Sequence, residues 1–190
     1  MPDTYFFDEP PTEREVVERM LDSFLKTRDA LYSEFPDAAR RNLHEVVTVA
    51  SLVEEEARLN EERPMVATVI YNRIDQGISL CFDSTLQFAL GKYGQRMLDR
   101  DKEVDSPYNT YKNAGLPPGP ITSPGKASLR SALRPDEAKY LYFVSNADGK
   151  THTFSETMAD HNKAVAQYRR EISVQRRELG QKGSNDTKSH

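Results

Sequence analysis

Eight consecutive residues, Val46-Val47-Thr48-Val49-Ala50-Ser51-Leu52-Val53, are apolar or small, and Asn42 and Glu45 ahead of them have the spacing of a helix-capping box. Wound as a helix, this run is apolar around nearly its whole circumference, so other elements must enclose it on most sides. It stops at Glu54-Glu55-Glu56. The flanking sequence supplies the cover. Thr12 and Glu15 form a second capping-box pair, followed by Val16, Val17, Met20, Leu21, Phe24 and Leu25 at helical spacing, which predicts a helix over Glu13 to Leu31. Asn60 is the expected cap of a third helix, with Pro64 in its first turn, a buried stripe of Val66, Val69, Ile70 and Ile74, and a stop at Gly77.

The rest of the chain reads differently. Ile78 to Phe82 is a short extended candidate, and Asp83-Ser84-Thr85 caps a brief helix through Leu90 ahead of Gly91. From Tyr93 to Ser123, clusters of Asp, Asn, Gly and Pro predict a long loop, and ordered loops of that length usually serve function. Ser123-Pro124 opens a short helix through Leu133. Tyr140-Leu141-Tyr142-Phe143-Val144 and Thr151-His152-Thr153-Phe154 flank Asn146-Ala147-Asp148-Gly149-Lys150, a hairpin signal. A last helix is expected from Glu156 to Glu178, and Gly180 to His190 is too polar to pack. The fold class read from this order is α+β, predominantly helical with a small antiparallel β element. The folded region is expected over residues 1–172, with a polar helix end and tail over 173–190.

A chain of 190 residues suits one domain or one with a small appendage. Its 37% hydrophobic content includes no run near the roughly 18 apolar residues of a membrane span. The opening Met1-Pro2-Asp3-Thr4-Tyr5 lacks the basic start and apolar stretch of a secretory signal. Lys and Arg total 26 against 30 Asp and Glu, a net charge of -4 that argues against nucleic acid as a partner. A lone cysteine, Cys81, excludes an internal disulfide and a cysteine-rich metal site.

Candidate chemistry starts at Glu54. A carboxyl at the end of a buried helix is denied water, which raises its pKa toward the working range of a general acid. On a helical wheel its neighbours are Val47, Ala50, Ser51, Ala57 and Arg58, small enough to leave room for a ligand, provided that Arg58 does not pair with it. Periodicity alone favours the blander reading, a solvated helix end. His152 and His161-Asn162 could join Asp83 as a metal or acid-base cluster, but their spacing matches no known ligand pattern, and structural histidines are the default. Asn109-Thr110-Tyr111, with Tyr71, Tyr108 and Tyr142, offers amides and rings suited to sugars or simply to packing. No glycine-flanked serine elbow and no phosphate-cradling glycine loop is present, so acyl hydrolases and nucleotide-phosphate enzymes recede.

Two blocks, Ala50-Ser51-Leu52-Val53-Glu54-Glu55-Glu56 and Glu62-Arg63-Pro64-Met65-Val66-Ala67-Thr68-Val69-Ile70-Tyr71-Asn72-Arg73, resemble the signature of the endolytic murein transglycosylases of the YceG-like (MltG) family. Further blocks agree in order: Leu80 to Thr85, Tyr108 to Tyr111, Gly115 to Ile121, Pro124-Gly125, Tyr140 to Val144, and His152-Thr153-Phe154 through His161-Asn162. The likeness runs from the start, where Pro2-Asp3-Thr4-Tyr5 matches too, to about Tyr168.

The resemblance implies a lysozyme-like helical catalytic domain that cleaves the β-1,4 bond between N-acetylmuramic acid and N-acetylglucosamine in peptidoglycan strands, leaving 1,6-anhydro ends, without cofactor or metal. Glu54 matches the family's catalytic glutamate. It would protonate the glycosidic oxygen and then, as a carboxylate, take the proton of the C6 hydroxyl as that oxygen closes onto the anomeric carbon. Glu56, Asp83, Thr85, Asn109, Tyr111, His152, Phe154, His161 and Asn162 match substrate-binding or supporting positions. Where the family has Gln or Glu, this chain has Cys81, so contacts at that position do not carry over. Cell-wall synthases are implied partners. Family members carry an N-terminal membrane anchor and a LysM-like region, absent here, so the implied location is the outer face of the bacterial cytoplasmic membrane through a segment outside this chain. The competing readings are a non-catalytic glycan-binding or scaffolding domain and a metal-dependent hydrolase using His152, His161 and Asp83.

Overall fold

The computed structural model describes residues 1–186, with side chains described through residue 178, so the end of the expected polar tail lies outside the described residues. The chain divides into two compact units, Met1–Ala138 and Lys139 onward.

The first unit is helical. Helix α1 spans Glu13–Glu34 and starts with the capping box foreseen at Thr12 and Glu15. After a 3-10 turn at Pro36–Arg40 comes α2, Leu43–Glu56, capped by Asn42 through the amide of His44 rather than by a box with Glu45. Helix α2 is the centre of the core: Val46, Val49, Ala50, Leu52 and Val53 are all buried, and the helices α3 (Arg63–Asp75), α4 (Asp83–Leu90) and α5 (Lys126–Leu133) pack on it. Full burial of each of the valine and leucine side chains contributes about 1.5–3 kcal/mol. Its two buried hydroxyls are satisfied inside the helix, Thr48 donating to the carbonyl of His44 at 2.8 Å and Ser51 to that of Thr48 at 2.7 Å. Ser51 also accepts from the amide of Ile121 at 3.0 Å, which ties the long loop to α2.

Helix α3, Arg63–Asp75, begins two residues later than an Asn60 cap requires. Glu62 is its N-cap and makes no side-chain capping bond to the helix, and Asn60 accepts from Nε of Arg63 at 3.1 Å. Gly77 follows in the left-handed region, as the stop signal required. The extended segment expected at Ile78 to Phe82 forms no strand: Cys81 adopts a φ of 56°, which breaks a ladder, and the segment hangs on Thr110. The amide of Cys81 donates to the Thr110 carbonyl at 3.1 Å and that of Phe82 to the Thr110 hydroxyl at 3.0 Å. Helix α4 spans Asp83–Leu90 and ends on Gly91 in the left-handed region. The loop that follows contains a 3-10 turn at Asp99–Glu103 before α5, Lys126–Leu133.

The second unit holds β1, Tyr142–Ser145, and β2, His152–Ser155, an antiparallel pair registering Phe143 with Phe154 and Ser145 with His152. Its turn is closed by Asp148, which accepts from the amides of Lys150 and Thr151 at 2.7 and 2.9 Å. Helix α6, Met158–Asp186, continues past the expected end at Glu178; Thr157 caps its start through the amide of Asp160. The architecture is therefore α+β and mainly helical. No described helix is long and apolar enough to cross a membrane.

Candidate active site

Of the three carboxyls at the end of α2, those of Glu54 and Glu56 have opposite surroundings. Glu54 lies against the N-terminus of α5. Its Oε2 accepts from the amide of Gly125 at 2.9 Å and from the hydroxyl of Ser128 at 2.6 Å, while Arg63 reaches Oε1 at 3.3 Å and Oε2 at 3.2 Å. Gly125 is the N-cap of α5 and has no side chain; Glu54 accepts from its amide and from the side-chain hydroxyl of Ser128, and the positive end of the helix dipole favours a carboxylate there. The guanidinium of Arg63 is held in turn by Ser128 and Asn60. The Glu54 side chain keeps 29% of its surface exposed, against 11% for Arg63, so the carboxyl remains open to a ligand.

This corrects the expectation that Glu54 is a protonated acid in a greasy wall. Burial does push its pKa upward and is the largest single influence, but the Ser128 hydroxyl, the Gly125 amide and the Arg63 guanidinium together bring it below the ordinary carboxylate value. The helical wheel considered only α2, whereas the donors come from α3 and α5. The guanidinium that pairs with Glu54 belongs to Arg63, not to the exposed Arg58.

Glu56 is the reverse case. Among the described residues its hydrogen-bond donor is the Ser84 hydroxyl at 2.6 Å, and no cation pairs with it. Burial, opposed by Ser84 and reinforced by the neighbouring charges of Asp83 and Glu55, pushes its pKa up to about 7. The C-terminal position on α2 acts in the same direction, since the negative end of the helix dipole disfavours a carboxylate. Beside it, Tyr111 donates to Oδ1 of Asp83 at 2.6 Å, and Lys102 sits over the Tyr111 ring, 5.3 Å from its centroid. Burial and the Asp83 bond raise the Tyr111 pKa above the ordinary phenol range.

The other expected residues fall into two groups. Thr85 and Asn109 are fully buried and committed to the scaffold. Thr85 donates to the Phe82 carbonyl at 2.7 Å and meets the Thr110 hydroxyl at 2.9 Å. Asn109 donates to the carbonyls of Lys102 and Val104 and accepts from the amide of Tyr111, so its amide is not part of an exposed rim. His152, Phe154, His161 and Asn162 belong to the second unit. There the His152 and Phe154 rings meet at 6.2 Å between centroids, His161 stacks on Tyr142 at 5.3 Å, and Asn162 is exposed. Among the described residues no three His, Cys, Asp or Glu side chains are grouped to hold a metal ion. Two surface cavities, one at Phe35 and Leu133 and one at Glu45, Tyr71 and Leu116, are lined by neither Glu54 nor Glu56.

Sequence reading singled out none of Gly125, Ser128 and Arg63 as site residues. No spacing signal points to Gly125 and Ser128, which lie 71 and 74 positions from Glu54.

Comparison with known proteins agrees with this arrangement of blocks. The family model described as "YceG-like family" matches residues 1–167. The chain is 39% identical over 170 residues to the endolytic murein transglycosylase of Bacillus subtilis (strain 168), covering 88% of this chain and 46% of that protein. It is 34% identical over 173 residues to the endolytic murein transglycosylase of Streptococcus pneumoniae (strain D39), covering 88% of this chain and 31% of that protein. The chain thus spans less than half the length of these relatives. The crystal structure of a yceG-like protein from Listeria monocytogenes superposes with a TM-score of 0.73 at 38% identity, over 86% of this chain and 53% of that one. The chain belongs to the YceG-like family.

Proposed function

We propose that the chain is the catalytic part of an endolytic peptidoglycan transglycosylase, with a lysozyme-like helical unit that cleaves the β-1,4 bond between N-acetylmuramic acid and N-acetylglucosamine and leaves 1,6-anhydro ends. The names of the relatives support the reaction class. The observation that carries the reading here is Glu54, a partly exposed carboxylate fixed by four hydrogen-bond and ion-pair contacts at a helix junction. A carboxylate so held is preorganised as a base toward the C6 hydroxyl, whose oxygen then attacks the anomeric carbon; the substrate supplies its own nucleophile and no activated water is needed. For Glu54 to donate the leaving-group proton first, as a one-glutamate scheme requires, it would have to be protonated against those same donors. Asp83 with Tyr111, and Asn162 with the rings of the second unit, are the proposed sugar contacts, with Thr85 and Asn109 as supports. Parent proteins are expected at the outer face of the cytoplasmic membrane alongside cell-wall synthases.

Mass spectrometry of peptidoglycan digested by the chain and by Glu54→Gln tests the proposal. Anhydro-muramyl ends from the wild type alone support it. Hydrated reducing ends would identify a hydrolase, and unchanged glycan with retained binding would identify a non-catalytic glycan-binding domain.

A further inference from the structure

We propose that two glutamates at the end of α2 divide the proton work, Glu56 giving its proton to the glycosidic oxygen and Glu54 entering the reaction as a carboxylate. The inference rests on the transglycosylase reading.

The geometry separates their roles. Glu54 faces an amide, a guanidinium and a hydroxyl that itself contacts the guanidinium. A proton on Oε2 would have to displace the donors directed at it. Glu56 faces one hydroxyl, Ser84, which can rotate to accept from a protonated carboxyl as easily as it donates to an ionised one. The charged and titratable groups around Glu56 are Glu55 on its own helix, Asp83 at the start of α4 and, from the long loop, the phenol of Tyr111 bonded to Asp83. Every one of these disfavours or fails to compensate a negative charge on Glu56. Its raised pKa, about 7, agrees with that inventory, and the opposed shifts of two neighbouring carboxyls are the usual mark of an acid and a base sharing one reaction.

Residues two apart on a helix point to different sides, their Cα atoms about 5.4 Å apart by helix geometry. Here Glu54 reaches α5 and Glu56 reaches α4. A linkage lying across the end of α2 would have one carboxyl on each side. As the C1–O4 bond breaks, the O–H bond of Glu56 breaks and its proton goes to O4, so N-acetylglucosamine leaves as an alcohol. The C6 hydroxyl then forms the O6–C1 bond as its proton passes to Glu54. Glu56 ends as a carboxylate and Glu54 as an acid. The donors around Glu54 favour its release of that proton to water, and the surroundings of Glu56 favour its reprotonation.

The test pairs two substrates with two variants of the whole chain. Glycan strands need a proton on the departing alcohol, whereas a 4-nitrophenyl β-glycoside of the GlcNAc–MurNAc disaccharide does not. Glu56→Gln is expected to lower strand cleavage by about 10²–10⁴-fold while lowering release of nitrophenolate by less than about 10-fold, and Glu54→Gln to suppress both. A carbon NMR titration of the side-chain carboxyls is expected to place Glu56 near neutrality and Glu54 below ordinary glutamate. Equal loss of both substrates in Glu56→Gln, wild-type rates in that variant, or an ordinary acidic titration of Glu56 overturns the assignment while leaving the reaction class intact. No anhydro ends from the wild type removes the transglycosylase reading, and this assignment with it.

Discussion

Replacing Arg63 by Met removes the guanidinium in contact with Glu54 while keeping most of the buried stem volume. The side chain gives up its contacts to both oxygens of Glu54, to Ser128 and to Asn60. Breaking a buried ion pair costs about 3–5 kcal/mol. Two observations reduce that figure: Glu54 keeps 29% exposure and so partial access to water, and contacts of 3.2 and 3.3 Å are longer than the strongest charge-assisted bonds. We expect a loss of roughly 2–3 kcal/mol, or about 4–12 °C in melting temperature for a chain of this size.

The pH dependence gives the sharper check. Because the folded-state pKa of Glu54 is depressed, its contribution is fully present above the ordinary value of 4.5 and is lost as pH falls through the folded value. The stability gap between wild type and Arg63→Met should therefore be widest near about pH 7 and narrow toward about pH 3, as read by urea unfolding at each pH. A gap below about 0.5 kcal/mol at neutrality, or one that stays constant on acidification, would refute the clamp.

Three further outcomes follow from the same structure. Asn109→Ala leaves two carbonyls and one amide without their partner in a fully buried position, and should cost about 3 kcal/mol in chemical denaturation without needing any change in ligand binding. At Gly125, whose φ of -78° suits any residue, a Cβ would sit 3.5 Å from Oε2 of Glu54. Gly125→Ala should thus stay within about 0.5 kcal/mol of wild type, while the branched side chain of Gly125→Val should crowd Glu54 and depress glycan cleavage in the digestion assay. Asp148, held down to a pKa of about 2 by the Thr151 hydroxyl and the amides of Thr151 and Lys150, stabilises the hairpin above its ordinary value of 3.8 and loses that contribution as pH falls toward 2. Asp148→Ala should therefore raise amide exchange at Asn146 and Thr151 at neutral pH, with the difference from wild type closing in acid.

Elements built from local rules were legible. Helices α1 and α2 announced themselves by caps and period, the hairpin by its turn residues, and α4 by the glycine that ends it. Misreadings arose where a side chain was claimed from a distance. Asn60 has the chemistry of a cap, but Arg63 takes its oxygen, and α3 starts later. Ile78 to Phe82 has strand composition, but its backbone amides turn to scattered partners, that of Ile78 to Arg73 and those of Cys81 and Phe82 to Thr110, and no ladder forms. Asn109 looked like a sugar contact because an amide in a loop usually meets solvent; here it is the post around which the loop is wound.

The candidate site shows the same division more sharply. Glu54 and Glu56 could be located from the sequence because the buried run ends at them, but their charge states could not, since these depend on residues contributed by α3, α4 and α5. Gly125 and Ser128 lie 71 and 74 positions from Glu54, beyond any periodicity argument. Reading burial alone assigned the proton to Glu54, the residue whose helix end is closed by three donor groups. Those donors come from the start of α5 and from Arg63, while the start of α4 offers Glu56 a lone hydroxyl beside a second carboxylate. A helix that buries its apolar run between neighbours necessarily carries the residues at its end to different neighbours, so adjacent carboxyls on one turn acquire opposite acidities without any difference in their own sequence context.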